Sequence, residues 1–289
     1  MIVIYGPSSL KLGERVANQL NVKGLKIDHK IFPDGESYIR IPENIVGEDI
    51  VLIHSTYPNQ DKRIIELLLT IDALRDLGAK SIKVIVPYLA YARQDCRFRD
   101  GEAISINTIL KLIEKIGADE FLTIDIHKEH SLNILKIKAK NIMAIDAIAD
   151  FLKKIDLDAP FILSPDKGGL ERAKLLGEKL GLEYGYFEKI RDRISGAITM
   201  KGKEVDFNNR DVIIIDDVIS TGGTIASACK IAKERRAKKV IAICTHALLI
   251  NNAVEKMKLA GIDDIIATDT VEGEYSKISV AQLIARELK

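Results

Sequence analysis

Nine residues near the middle of the second half, Asp216-Asp217-Val218-Ile219-Ser220-Thr221-Gly222-Gly223-Thr224, have the types and order of a phosphate-holding turn. They follow a β-branched run at 212–215 and lead into a helical pattern. Gly222 and Gly223 permit backbone conformations with positive φ and a close approach to a ligand. Amides there and at the helix start converge on one point, which favours a phosphate. Ser220, Thr221 and Thr224 add hydroxyl donors, and Asp216 and Asp217 stand one step back, where carboxylates accept hydrogen bonds from sugar hydroxyls. The bland alternative is an N-capped helix after an acidic turn, and the length of the run argues against it. Neither G-x-x-x-x-G-K-[ST] nor G-x-G-x-x-G occurs.

Other residues could serve the same chemistry. Arg93 offers a fork-shaped donor to phosphate oxygens. Lys189 and Arg191 lie in the charged stretch Lys189-Ile-Arg-Asp-Arg-Ile-Ser-Gly-Ala, which ends near Gly196 and is expected to be mobile. Pro33-Asp34-Gly35, read alone, is a turn. His127 and His130 form H-x-x-H, but no further Cys or His lies close in sequence, which argues against zinc.

The elements that must position these residues alternate. β-Branched runs at 2–5, 50–54, 82–87, 121–124, 161–163, 212–215 and 240–244 predict strands, and amphipathic patterns at 61–77, 104–116, 170–180 and 224–236 predict helices. Nearly continuous apolar strands separated by helices imply an α/β fold with parallel sheet covered on both faces. The chain also repeats itself. Asp49-Ile-Val-Leu-Ile and Asp211-Val-Ile-Ile-Ile open equivalent strands, and Ala79-Lys80-Ser81-Ile82 and Ala237-Lys238-Lys239-Val240 open the next, about 160 residues apart. Two similar α/β domains are the simplest expectation, 1–145 and 146–289, with the phosphate loop only in the second. The matching stretch of the first half, from His54 to about Asp61, has neither glycine nor paired aspartates.

Composition narrows the class. Forty-three Lys and Arg against 42 Asp and Glu leave a net charge of +1, which argues against a nucleic-acid binder working by bulk charge. The longest apolar stretch, near 240–250, is interrupted by Thr245 and His246 and is too short to span a bilayer. The N-terminus shows no basic leader, and the three cysteines, Cys96, Cys229 and Cys244, form no C-x-x-C pair. A reduced cytoplasmic protein without membrane or nucleic-acid partners is expected.

Residues 212–225 resemble the phosphoribosyl pyrophosphate loop of the type I phosphoribosyltransferase fold. Four further segments, Phe32-Pro33-Asp34-Gly35-Glu36, Tyr91-Ala92-Arg93-Gln94-Asp95, Asp125-Ile126-His127 and Ser164-Pro165-Asp166-Lys167-Gly168-Gly169, resemble in order the motifs of ribose-phosphate pyrophosphokinases, with the archaeal members nearest in the stretch 97–102. The resemblance implies two tandem phosphoribosyltransferase-like domains with mostly parallel sheets. It implies transfer of the β,γ-diphosphate of ATP to the anomeric hydroxyl of ribose 5-phosphate, with Mg²⁺ as cofactor and a homodimer or larger assembly. Residue by residue, it implies that Phe32, Asp34, Gly35 and Glu36 hold adenine from a neighbouring subunit, and that Arg93 and Gln94 contact ATP. His127 and Asp166 are implied as Mg²⁺-linked, and Lys189 and Arg191 as catalytic. Arg191, Asp216, Asp217, Thr221, Gly222, Gly223, Thr224 and Ile225 are implied to bind ribose 5-phosphate.

Two departures from the family pattern stand out. Ser220 occupies a position where many members carry aspartate, which removes a negative charge beside the 5-phosphate. Lys128-Glu129-His130-Ser131-Leu132-Asn133-Ile134 does not follow the Gln-x-x-Gly-Phe-Phe run of the bacterial enzymes, which puts control by ADP and phosphate in doubt. The rival enzyme is a purine or orotate phosphoribosyltransferase, which shares the loop but needs neither the length nor the ATP-like motifs. A catalytically dead regulatory subunit would show damage at Lys189, Arg191, His127 or the loop, and none is visible.

Overall fold

Strands made of Ile and Val on both faces can leave water only if helices cover them above and below. The computed structural model meets this need twice, and it describes residues 1–191, 198–201 and 206–289, with the backbone alone for 188–191 and 198–201.

The chain divides into two units. In the first, six parallel strands lie in the spatial order Lys23–Lys26, Ile2–Tyr5, Asp49–Ile53, Ser81–Val86, Glu120–Ile124, Lys138–Ile142. Register sets Ile50 opposite both Ile2 and Ile82. Helices Gln60–Asp76 and Ser105–Ile116 contribute Leu67, Ile71, Leu110 and Ile113 to a core that also takes in Leu52, Val84 and Phe121. In the second unit the order is Glu183–Tyr186, Phe161–Ser164, Asp211–Ile219, Lys239–Ala247, Asp264–Thr268, Ser276–Ile278, again all parallel. Its core is built on Val212, Ile214, Val240 and Phe161, whose ring meets Phe207 edge-on at 5.2 Å.

The repeat expected from sequence is present as an identical strand order. In each sheet the second strand of the chain takes the edge, the first lies inside it, and the third onward follow outward on the other side. Each unit also inserts an antiparallel hairpin between its second and third sheet strands. Asp28–Ile31 pairs with Ser37–Arg40 in the first, and Glu188–Arg191 with Ile198–Lys201 in the second. Strand order therefore reverses beside Ile2–Tyr5 and beside Phe161–Ser164, and ligands of open α/β sheets bind outside the carboxyl ends of strands at such a point.

The division is not a single cut. The first unit comprises Met1–Met143, Thr270–Glu272 and Ser279–Lys289, and the second Ala144–Asp269 and Gly273–Ile278. The chain passes from the first unit to the second between Met143 and Ala144, and its C-terminal residues belong to the first unit again. The returning helix Ala281–Leu288 buries Leu283, Ile284 and Ala285, and it packs on Leu10–Leu20. Glu272 is held as well, its Oε1 accepting the Leu12 N–H at 2.8 Å.

Every strand and helix expected from sequence occurs, with ends shifted by a few residues, the largest extension being 212–215 to Asp211–Ile219. Among the described residues no helix is long and apolar enough to cross a membrane. Cys229 and Cys244 are buried, and burial pushes both thiols up, so they pack rather than react.

Candidate active site

In the second unit the strand Asp211–Ile219 ends at the switch point and delivers two carboxylates there. Asp216 and Asp217 are folded back along the chain. The Asp217 N–H donates to Asp216 Oδ1 and the Val218 N–H to Asp217 Oδ1, both at 2.9 Å. The turn that follows ends at Gly222, the N-cap of the helix Gly223–Glu234, with φ of +69°. A Cβ at Gly222 would also stand 3.0 Å from the Ala253 carbonyl oxygen, so glycine is needed for both backbone and space. The loop is pinned from behind. Leu248 and Leu249 donate their N–H groups to the Ile219 oxygen, Ile250 donates to the Ser220 oxygen, and Lys256 Nζ reaches the Thr221 oxygen at 3.0 Å. A helix start offers amides with no partner inside the helix and a partial positive charge, which suits a phosphate.

The neighbouring strand Phe161–Ser164 leads into the second loop of the site. Asp166 caps the short turn Lys167–Gly169, its Oδ1 accepting from the Gly168 and Gly169 amides at 2.9 and 3.3 Å. Ser164 Oγ donates to the Asp166 carbonyl oxygen at 2.6 Å. A Cβ on Gly169 would meet Ser164 Oγ at 2.6 Å and lie 4.0 Å from Asp216 Oδ1, which shows how closely this loop lies against the strand end. Burial, and then the negative charges of Asp217 and Asp166, push the Asp216 carboxyl up to about 8. Crowded carboxylates of this kind are hard oxygen donors, the chemistry that fits Mg²⁺. Among the described residues no three His, Cys, Asp or Glu side chains could cage a metal by themselves.

The Asp216 shift carries a stability prediction. An acid whose pKa is higher folded than unfolded binds more protons in the native state, so stability falls as pH rises from about 4 to about 8, then levels off. Urea midpoints of the metal-free protein at pH 5 to 9 are expected to show this decline, and Asp216→Asn is expected to lose that component. Parallel profiles for the two proteins would show that Asp216 does not titrate in this range.

In the first unit, Arg93, Gln94 and His127 stand on loops beyond strand carboxyl ends. Arg93 and His127 are exposed and Gln94 is half-buried. Gln94 Nε2 donates to the Cys96 oxygen at 3.1 Å, and Glu102 takes the Phe98 and Arg99 amides at 2.8 and 3.1 Å, which stiffens the Arg93 loop. The two loops meet where His130 Nε2 lies 3.4 Å from Asp95. The hairpin turn Phe32 to Glu36 is exposed throughout, closed by Phe32 N–H to Glu36 O at 2.8 Å, with Gly35 at φ of +97°. Phe32 meets Tyr38 edge-on at 6.0 Å, and Lys30 Nζ lies within 5 Å of both ring centres, at 4.9 and 4.7 Å. The backbones of Lys189 and Arg191 lie on the strand Glu188–Arg191, while their side chains and residues 192–197 lie outside the described residues.

Comparison with known proteins decides the family. Residues 1–117 match the N-terminal domain of ribose phosphate pyrophosphokinase, and residues 132–274 match the phosphoribosyl transferase domain. A ribose-phosphate pyrophosphokinase of Sulfurisphaera tokodaii is 44% identical over the whole of both chains. One of Pyrococcus abyssi is 40% identical over 99% of this chain and 98% of its own. The chain belongs to the ribose-phosphate pyrophosphokinase family. A crystal structure of phosphoribosylpyrophosphate synthetase from Mycobacterium smegmatis superposes with a TM-score of 0.88 at 26% identity, covering 99% of this chain and 97% of that one. Two phosphoribosyltransferase-type domains with mostly parallel sheets are thus shared with a pyrophosphokinase of solved structure.

Some residues that shape this pyrophosphokinase site carry no sequence signal. Lys256, which holds the back of the phosphate loop, is one of two lysines on a short helix, Ala253–Leu259. Ser164 could be found only as the residue before the Pro165-Asp166 pair, and its role depends on how closely Gly169 approaches.

Proposed function

We propose that residues 216–225 hold ribose 5-phosphate while Lys189 and Arg191 stabilise the charge that moves during transfer. The family's reaction carries the β,γ-diphosphate of ATP to ribose 5-phosphate, giving phosphoribosyl pyrophosphate and AMP. The anomeric oxygen forms a bond to the β-phosphorus, the bond from that phosphorus to the α,β-bridging oxygen breaks, and AMP leaves with that oxygen. The proton of the anomeric hydroxyl passes to solvent or a nearby base. Such transfers depend on positioning and charge neutralisation rather than on a covalent enzyme intermediate.

The tasks divide among the residues as follows from their chemistry, with Arg191 serving both the transfer and the sugar phosphate. The helix start at Gly222 to Ile225, with Thr221 and Thr224, takes the 5-phosphate, and Arg191 adds a cationic donor. Asp216 and Asp217 accept from the ribose hydroxyls. Arg93 and Gln94 contact the ATP phosphates. Phe32, Asp34, Gly35 and Glu36 receive adenine, the exposed turn serving a neighbouring copy in a homodimer or larger assembly. Asp166 would hold Mg²⁺, with His127 acting through water. When bound, Mg²⁺ supplies charge neutralisation at the phosphate oxygens. We place the enzyme in the cytoplasm.

The observation that carries this reading is the paired carboxylates followed, after the strand end and a short turn, by a glycine-started helix at the switch point. The test is an assay with purified protein, ATP, Mg²⁺ and ribose 5-phosphate, nucleotides being followed by chromatography. AMP is expected to appear in step with substrate loss. ADP appearing instead would signal transfer of a single phosphoryl group and overturn the reading.

A further inference from the structure

The turn read as the adenine holder sits at the tip of a hairpin that belongs to neither six-stranded sheet. A two-stranded hairpin alone is marginally stable in water, so its geometry must be imposed by a neighbour. The helix Gln60–Asp76 supplies two holds. Glu66 is fully buried, at 0% exposure, and its carboxylate meets three donors. Oε1 accepts from Ser37 Oγ at 2.6 Å and faces His29 Nε2 at 2.9 Å, and Oε2 accepts from Arg63 at 2.6 Å. His29 and Ser37 lie on opposite strands of the hairpin, Ser37 directly after the turn and His29 nearer the open end, so one carboxylate ties the two strands together. One helical turn earlier, Lys62 Nζ donates to the Gly35 oxygen at 2.9 Å, at the tip. Residues four apart share a helix face, so the two strands and the tip are gripped from one side.

Burial alone would raise the Glu66 carboxyl. The hydrogen bonds from Ser37, Arg63 and His29, with the Arg63 charge, hold it below the usual range, so it stays ionised. A buried ionised group with this many partners adds less stability than apolar packing would, while it dictates one geometry.

We propose that Glu66 and Lys62 are positioning residues for ATP. They set where Phe32, Asp34 and Glu36 present themselves to the adenine ring, and the proposal rests on reading that turn as the adenine holder. Neither residue is assigned to the sugar phosphate or to the transferring diphosphate, so their loss falls on ATP capture and spares turnover.

The test is steady-state kinetics of Glu66→Gln, Lys62→Met and Phe32→Ala, with ATP and ribose 5-phosphate varied separately, beside hydrogen exchange of residues 28–40. Glu66→Gln is expected to raise the KM for ATP about tenfold, with kcat and the KM for ribose 5-phosphate within about twofold. Exchange across 28–40 is expected to quicken while the rest of the first unit stays protected. Lys62→Met is expected to give a smaller rise of the same kind, and it decides the matter if Glu66→Gln does not fold. If Phe32→Ala leaves the KM for ATP unchanged, the adenine reading fails. If Phe32→Ala raises it while Glu66→Gln and Lys62→Met do not, the positioning role fails and the adenine reading stands. A parallel loss of kcat and of affinity for both substrates in Glu66→Gln would make the cluster structural only.

Discussion

Replacing Lys189 with alanine is expected to lower kcat by on the order of 10³-fold, the contribution of one preorganised electrostatic group, with only a modest change in ATP affinity. Negative charge spreads over the equatorial and bridging oxygens as the β-phosphorus moves between its two partners. An ammonium that meets those oxygens only during transfer lowers the barrier without tightening the ground state, so its loss appears in kcat. The fold should survive. The backbone of Lys189 pairs with Met200 in a two-stranded hairpin separate from both six-stranded sheets, so the substitution leaves their ladders intact. The measurements are steady-state kinetics, direct ATP titration of the variant, and a thermal melt. A variant that keeps its kcat and loses its ATP affinity would make Lys189 a ground-state binding residue.

The central strands were legible because burial on both faces leaves a continuous apolar run, as in Asp211–Ile219 and Lys239–Ala247. Edge strands lack that demand. Lys23-Gly24-Leu25-Lys26 buries only Leu25, and Lys138–Ile142 buries only Ile142, so neither carries a strand-like pattern. The hairpin of residues 28–40 was legible only at its turn. Its strands are polar, and their pairing depends on Glu66, about 30 residues further along the chain. The return of the C-terminal helix to the first unit also left no local mark. Amphipathicity says that Ala281–Leu288 buries a face, and not against which helix.

The second-unit site was more legible than the first-unit loops, for a physical reason. A phosphate-holding turn needs glycine at fixed places and hydroxyl and carboxylate groups beside them, so its residue types are constrained by contact with the ligand. The turn itself constrains Gly222, at φ of +69° against the Ala253 oxygen. Arg93 and His127 stand on exposed loops, where many residue types would fold as well. Their assignment came from resemblance to a family. What no sequence pattern could supply is the crowding of Asp166, Asp216 and Asp217, since it depends on two loops meeting across adjacent strands.

Asp217→Ala tests whether that crowding is arranged for the sugar. Two opposing effects follow from removing this carboxylate. A hydrogen bond from a ribose hydroxyl to a charged acceptor is lost, which costs about 1.5–3 kcal/mol. A negative charge is also removed from the approach to a phosphate dianion, which favours binding. The second effect is the smaller, because the 5-phosphate is read as sitting on the helix start several residues on, where amides and the helix dipole already offset its charge. The remaining carboxylate, Asp216, also loses a neighbour that pushes its pKa up, so more of it is ionised at neutral pH and part of the acceptor strength returns. The net expectation is a rise of about 10- to 100-fold in the KM for ribose 5-phosphate, with kcat at saturating sugar changed far less. Initial rates across a range of ribose 5-phosphate at fixed ATP measure it. An unchanged KM would make Asp217 a structural residue of the loop, its carboxylate taken up by the Val218 amide and its neighbours. A lower KM would mean that repulsion of the phosphate dominates and that the sugar hydroxyls are held elsewhere.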